Sequence, residues 1–373
     1  MNRSPGIRRH GLSRIRPPLL GALTLCCAMA AEAAARPGED CAIYGRVTDR
    51  TTGKPVELAN LFLANTTRGG STDRSGSFLI TGIPPGSYEV VASRVGYEVE
   101  VRSIRITAGD SLRRDFRLTA RIIQEEEIQV TAPDPVAWRE MLGVFKEQFI
   151  GTDDVASKCT LLNPEVLDFE KDPESDLLSA RTDSVLHFEN RALGYRLHIL
   201  LNDFRWNRLY NRLFYKHYAR FETIQPDDSA DASRWASQRA EVYRGSMRHF
   251  LRSLYAGTTG KEKFAIFRGS LEQILRGEGW HMAPEELTIV ERVSPEYVRL
   301  SFQGYLRVHY SGRKGIEKNY IALEEGPGFI DANGFVLEPR YLTVLSQSVW
   351  ARNRIARLLP MDYEPAEEPM PGR

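Results

Sequence analysis

Between Ile43 and Tyr97, short apolar runs alternate with turn residues at a spacing that leaves little choice of fold. The stretch reads I-Y-G-R-V-T-D-R-T-T-G-K-P-V, then S-T-D-R-S-G-S-F-L-I-T-G-I-P-P-G-S-Y-E-V, then S-R-V-G-Y. Strand side chains alternate between two faces, so Ile43, Gly45 and Val47 share one face of a first strand. Asp49 can fold its carboxylate onto nearby backbone N–H groups, and Gly53 supplies a positive φ. Asp73 and Gly76 stand at the first and fourth positions of a type I turn. Phe78, Ile80 and Ile83 resume on the core side. Pro84-Pro85-Gly86 reverses the chain, and Tyr88, Val90 and Ala92 form the next inward row. Strands this short, with turns this frequent, predict a small antiparallel β-sandwich.

The pattern resembles the carboxypeptidase regulatory-like domain, a prealbumin-like sandwich of about seven strands. The residues that carry the resemblance include Gly45, Val47, Asp49, Gly53, Pro55, Thr72, Asp73, Gly76, Phe78, Pro85, Gly86, Tyr88, Gly96 and Tyr97. The resemblance implies a carbohydrate-binding-like sandwich over residues 39–121 and says almost nothing about activity. Lys54 is the only lysine between Cys41 and Arg121 and sits in a turn, which argues against an internal Lys–Asn isopeptide bond.

Ahead of the sandwich, residues 1–35 read as a signal peptide. Arginines 3, 8, 9, 14 and 16 precede an apolar run from Leu19 to Ala31, and A-x-A sites follow near Ala33 to Ala35. The apolar run is too short to span a bilayer comfortably. Cleavage there removes five arginines and Glu32, which takes the formal charge from +1 to about −3. That balance does not favour nucleic acid as a partner. No later run reaches membrane-spanning length, so no transmembrane segment is expected in the mature chain. The expected location is the periplasm, the outer membrane or the surface of a Gram-negative cell. Cys41 and Cys159 survive cleavage and are either bridged, which an oxidising compartment permits, or two free buried thiols.

Beyond the sandwich, residues 122–132 form an acidic linker, and an α+β region of 133–362 follows. Asp134 and Pro135 open a helix that Gly151 stops, with Trp138, Leu142, Phe145 and Phe149 on its core face. Strands are expected around Leu167, Leu178, Val185 to Phe188, Tyr195 to Leu201, Phe214 to Phe221, Phe264 to Phe267, Leu287 to Val290, Val298 to His309 and Asn319 to Leu323. A single long helix is expected from about Ser233 to Tyr255. Residues 363–373 are acidic and proline-rich and read as a disordered tail. The segments F-K-E-Q-F-I-G, K-C-T-L-L-N-P-E-V-L-D-F, N-R-A-L-G-Y-R-L and Y-R-G-S-M-R-H-F-L-R-S-L-Y look similar to exported Bacteroidetes-type envelope proteins with the same sandwich in front. That resemblance implies an architecture and a compartment, and brings no catalytic residue. The fold class is therefore mainly β with α+β.

Catalytic and cofactor motifs are missing from the sequence. Zinc carboxypeptidase chemistry needs two protein ligands and a carboxylate in fixed order, such as H-x-x-E with a distant His. Positions three after His187, His198, His217, His249, His281 and His309 hold no Glu, and there is no H-E-x-x-H. A G-x-S-x-G elbow is also missing. Gly257-Thr258-Thr259-Gly260-Lys261 lacks the first Gly and the final Ser or Thr of a phosphate loop, and reads as the end of a helix. No catalytic, metal-binding or cofactor-binding residue is assigned. A hydrolase on the second region would need Glu165, Asp168, Glu189 or His198 to converge in a cleft.

Two basic stretches are candidate binding surfaces. From Phe204 to Phe221, aromatics alternate with Arg205, Arg208, Arg212, Lys216 and Arg220, and the run holds no acid. Trp206, Tyr210 and Tyr215 could stack on sugars while the cations meet phosphate or carboxylate. The same run also reads as a hairpin with aromatics inside and cations outside. Arg244, Arg248 and Arg252 recur every fourth residue, as a binding stripe or a solvated helix face. These features predict an exported, non-enzymatic envelope protein whose sandwich is a spacer or interaction module. Its partner would be an envelope glycan or another envelope protein. The alternatives are a module for an anionic glycan or lipid headgroup, and an unrecognised hydrolase.

Overall fold

The computed structural model describes residues 41–121, 134–276, 281–282, 289–313, 315–324, 326–337 and 342–366. Residues 1–40, which include the stretch read as a signal peptide, the linker read at 122–132 and the tail from 367 onward lie outside the described residues. Residues 38–373 form one compact unit.

The sandwich contains β1 (Cys41–Asp49), β2 (Asn60–Leu63), β3 (Gly69–Ser71), β4 (Ser77–Ile83), β5 (Gly86–Ser93), β6 (Glu100–Ile106), β7 (Ser111–Arg113) and β8 (Phe116–Leu118). One sheet runs β4-β1-β7, with β8 also on β1, and the other runs β3-β2-β5-β6. β7 and β8 are two halves of one seventh strand, both parallel to β1. The break between them carries Arg114 against Gly45, where a Cβ would lie 1.9 Å from the Arg114 carbonyl oxygen. Glycine is therefore required at that crossing. Ile43, Val47, Phe78, Ile80, Ile83, Tyr88, Val90 and Ala92 fill the core. The turns form as their residues dictate. Asp49 Oδ1 accepts from the N–H of Thr51 and Thr52. Asp73 Oδ1 accepts from Ser75 and Ser77, and the Gly76 N–H donates to the Asp73 carbonyl.

Asp134 caps α1 (Pro135–Phe145), which continues as a π turn over Lys146–Ile150 and stops at Gly151. Six strands follow: β9 (Cys159–Leu161), β10 (Asp168–Asp172), β11 (Leu177–Arg181), β12 (Leu186–Asn190), β13 (Tyr195–Asn207) and β14 (Arg212–Thr223). They form one sheet, β10-β11-β13-β12-β9, with β14 on the free edge of β13. Phe145, Phe149, Phe188, Phe204 and Phe221 meet beneath it.

The chain then forms α2 (Ser229–Tyr243), α3 (Met247–Ala256), β15 (Phe264–Gly269), α4 (Leu271–Arg276) and β16 (His281–Met282). It closes with β17 (Val290–Arg292), β18 (Tyr297–Leu300), β19 (Tyr305–Gly312), β20 (Gly315–Leu323), β21 (Gly328–Asp331), β22 (Val336–Leu337) and β23 (Leu342–Val344). These strands make two sheets, β16-β15-β19-β20-β23 and β17-β18-β21-β22. Phe250, Leu251 and Leu254 of α3 pack with Phe264, Leu306, Ile330 and Trp350 in a separate core. The region read as one α+β domain thus has two hydrophobic cores.

Two expectations need correction, and one open alternative is decided. The long helix over 233–255 is two helices, α2 and α3. Gly245 adopts φ +75, and a Cβ there would lie 2.4 Å from the Tyr310 ring; Ser246 then caps α3. The strand read through Val298 to His309 is interrupted by a turn at Gly304, also at positive φ. Of the two alternatives for Cys41 and Cys159, the structure has separate buried thiols. Burial pushes the Cys159 thiol up to about 12.

Candidate functional site: the seam between sandwich and C-terminal region

The outer face of the β3-β2-β5-β6 sheet carries apolar side chains that a free sandwich would expose. Phe62, Ala64 and Val91 are buried there by Tyr218 of β14, with Leu200, Val99 and Val101 alongside. Backbone pairing extends the contact: the Asn65 N–H donates to the Ala219 carbonyl, and the Phe221 N–H to the Thr66 carbonyl. Asn65 sits at φ +59, a conformation asparagine tolerates better than most residues.

A second joint forms at the Pro84-Pro85-Gly86 reversal. Asp331 opens a tight turn, its Oδ1 accepting from the N–H groups of Asn333 and Phe335. Its Oδ2 accepts from the Ser87 N–H of the sandwich at 3.0 Å. Asn333 donates from Nδ2 to the Pro85 carbonyl at 3.1 Å. Burial raises the Asp331 carboxyl above its ordinary range, opposed by these backbone donors and by Arg248.

The third joint is the chain end. Arg248 of α3 donates from Nε to the Asn333 carbonyl at 3.1 Å, and from its other nitrogens to the carbonyls of Pro360, Met361 and Tyr363. The Met361 N–H donates to the Asn65 carbonyl, and Asp362 accepts from the N–H and hydroxyl of Thr67. Arg252 pairs with Glu364 at 2.8 Å. Tyr363 packs against Tyr243, with ring centroids 6.1 Å apart. Residues 360–364 therefore strap α3 to the sandwich. The tail read as disordered from 363 begins with two held residues, Tyr363 and Glu364.

Between these joints lies a cleft of about 970 Å³. Its sandwich wall is Ser87 and Glu89 of β5 with Ser103 and Arg105 of β6; the opposite wall includes Met247, Leu251, Phe335, Val336, Leu337 and Met361. Arg105 lies over Tyr297 and pairs with Glu296 at 2.8 Å. Burial raises the half-buried Glu89 carboxyl, with the Lys216 charge acting in the other direction.

The candidate binding residues fall in three different places. Along β13 a bulge between Leu201 and Asp203 shifts the alternation, so Phe204 and Trp206 keep facing inward. Trp206 and Tyr215 pack on the core beneath the sheet, and Tyr215 meets Phe149 edge-on at 5.2 Å. Arg205 points out, paired with Asp203 at 2.8 Å and stacked on Phe214 at 4.8 Å. Arg208, Tyr210, Arg212 and Lys216 are exposed on or near the hairpin tip. The hairpin with aromatics inside and cations outside is the arrangement found, with Tyr210 and Phe214 as exposed exceptions and Tyr218 on the outer face beneath the sandwich. The arginine stripe is not a helix face. Arg244 lies in the break between α2 and α3, whereas Arg248 and Arg252 turn inward to the strap.

Trp206 lines a groove with Met141, Val144 and Leu178, and the same groove carries Glu140 and Glu147. Asp176, Lys171 and Arg208 line it too, so the charges around the ring are mixed and present no basic face to an anionic polymer. Trp206→Ala should lower stability by roughly 2 kcal/mol, below the 3–5 kcal/mol of a fully enclosed ring. Its retention on anionic polysaccharide should match the wild type. Melting temperature and column retention, measured on the same preparation, check both halves.

Of the residues a hydrolase would need, Glu189 and His198 are diagonal neighbours on one face of the β12–β13 pair, whereas Asp168 is on β10, paired with β11. Asp168 on β10 and Glu189 on β12 have β11 and β13 between them. Glu189 is held by Arg191 and Arg196. Burial lowers the His198 pKa, with Glu222 acting in the other direction. The His198 Nε2–H donates to Glu222, which leaves Nδ1 to accept from His187 Nδ1–H at 3.0 Å. Among the described residues no group of three or more His, Cys, Asp or Glu is arranged to hold a metal ion.

Residues 42–119 match the carboxypeptidase regulatory-like domain family, so this part of the chain is a β-sandwich module of that class. No curated protein sequence matches the chain. Among solved structures, the group B streptococcus pilus 2b backbone protein is 15% identical, with 21% of this chain and 40% of that chain covered and a TM-score of 0.19. Hydroxyquinol 1,2-dioxygenase from Pseudomonas putida is also 15% identical, covering 24% of this chain and 59% of its own at a TM-score of 0.19. A DUF3823 family protein from Bacteroides ovatus is 9% identical over 78% of this chain and 99% of its own, with a TM-score of 0.18. None of these lends its activity to this chain.

The signal for the seam was partly in the sequence. D-A-N-G at 331–334 is a turn of Asx type, and G-S at 245–246 is a helix stop followed by a cap. What they dock against is remote in sequence: Ser87 and Asp331 are 244 residues apart.

Proposed function

We propose that this is an exported, non-enzymatic envelope protein whose sandwich is one fixed wall of an interaction body. The observation that carries the reading is the seam. A spacer on a flexible linker has no reason to bury Phe62 and Val91 against a neighbour, or to be held by Ser87, Pro85 and Thr67. Such joints fix the geometry between sandwich and C-terminal region, as a protein presenting a composite surface requires. Export is supported by the arginine-rich start and short apolar run of residues 1–35. No helix among the described residues is long and apolar enough to cross a membrane.

N-terminal sequencing of protein from fractionated envelopes tests export. The first residue should lie between Glu32 and Gly38, and intact protein beginning at Met1 or Asn2 in the envelope fraction defeats the leader. Crosslinking in intact envelopes followed by mass spectrometry tests the interaction role. Crosslinks to one envelope component should involve both sandwich and C-terminal residues. Crosslinks confined to the sandwich would restore the spacer.

A further inference from the structure

We infer that the seam cleft binds an amphiphile with a protonated amine head, which Glu89 receives while the alkyl chain lies along the opposite wall. The cleft is large enough for such a molecule, at about 970 Å³, and sites of this kind occur preferentially where two bodies meet. Its far wall is apolar. Met247, Phe335, Val336, Leu337 and Met361 all keep part of their surface uncovered, and all line the cleft. Apolar side chains left half-covered in a concave site favour an alkyl chain over water.

The polar groups decide the head. Arg248 is bound to four carbonyls, and Arg105 is held by Glu296 and Tyr297. Arg248 is committed to those carbonyls, and Arg105 already has a carboxylate partner in Glu296. Ser87 is bonded to the Tyr297 hydroxyl at 2.8 Å. Glu89 differs. Its side chain lies on the outer face of β5, opposite Ser103 of β6, and makes no hydrogen bond or ion pair among the described residues. The cation that acts on it is Lys216, an exposed side chain whose ammonium lies 5.9 Å from the Tyr218 ring centroid. A half-buried carboxylate facing an apolar wall selects a ligand that brings its own positive donor.

Isothermal titration of the full chain with decylamine and with decanoate tests it, at concentrations below micelle formation. Decylamine should bind and decanoate should not. Shortening the amine to octylamine should weaken binding by about fourfold for each buried methylene removed. Glu89→Gln, which keeps the side-chain shape, should weaken decylamine binding by about tenfold or more with an unchanged melting temperature. Equal binding of decanoate, no effect of Glu89→Gln, or no decylamine binding up to about 1 mM each overturns the proposal. Two sources share this chemistry, a free long-chain amine and an amine-headed membrane lipid. Co-sedimentation with vesicles containing phosphatidylethanolamine, but not with phosphatidylglycerol vesicles, assigns the lipid. Decylamine binding without co-sedimentation assigns the free amphiphile.

Discussion

Arg248→Ala should destabilise the protein by roughly 3–5 kcal/mol, because it removes the one charged donor shared by four carbonyls and leaves them short of a partner, at about 1–3 kcal/mol for each that stays buried. The Arg248 side chain is only 12% exposed, and its donors reach carbonyls on two separate segments, the 331–335 turn and the 360–363 strap. Without the guanidinium, four carbonyls lose a charged donor at once. Arg248→Met keeps most of the apolar stem and loses every donor, so it should recover only the packing part of the loss. Arg248→Lys retains the charge but not the planar fork that reaches several acceptors, and should fall between the two. Arg252→Ala is the contrast. Its partner Glu364 is 61% exposed, and a pair that open to water should be worth no more than about 1 kcal/mol. Urea unfolding of the four variants gives the order. An Arg248→Ala midpoint within about 1 kcal/mol of wild type would remove the strap from any account of stability.

How much of this was legible in the sequence depends on the range of each contact. The turns of the sandwich are local. Asp49 with Gly53, and Asp73 with Gly76, close within four residues and can be read without knowing anything else. The broken seventh strand was only half readable, because Gly45 marks a close approach without saying that Arg114 makes it. The hairpin faces could not be assigned by strict alternation, since the bulge between Leu201 and Asp203 displaces the pattern by one residue. The arginine stripe failed for a different reason. Fourfold spacing implies a common face only while the helix is continuous, and Gly245 interrupts it.

The seam illustrates the limit of pattern reading. Thr67 and Asp362 lie 295 residues apart, and nothing in either neighbourhood names the other. Phe62 and Val91 belong to the outward rows of their strands, where an isolated sandwich would place polar residues. That apolar outer face is the sequence-level sign that the sheet is covered on both sides. Glu89 lies in the same outward row and lines the seam cleft that this covering creates. The same covering that excludes water from Phe62 and Val91 gives the Glu89 carboxyl its raised pKa.

His217→Phe should flatten the pH dependence of stability between about pH 7 and pH 4. His217 lies on the inward face of β14, with Tyr215 at 5.6 Å and Phe149 at 6.1 Å between ring centroids. Its Nε2 has no solvent access and no hydrogen-bond partner, although the residue keeps some exposed surface elsewhere. Burial alone pushes its pKa from the ordinary 6.5 down to about 4. The neutral ring is therefore the form that folds, and the unfolded chain takes up the proton first. Stability from this group is fully present above pH 6.5, declines as pH falls through that value, and stops declining below about 4. Each unit of difference is worth about 1.4 kcal/mol, so the whole loss is on the order of 3 kcal/mol. At about pH 5 the wild type should have lost roughly 2 kcal/mol that the phenylalanine variant retains, while at about pH 7 the loss is close to zero. Burial also lowers the pKa of His198, His249 and His309, so the wild-type slope carries their contributions in the same direction. The difference between the two unfolding curves, measured in urea across the pH series, isolates His217. Parallel curves from pH 7 to pH 5 would mean that the ring is solvated in the native state and carries no such penalty.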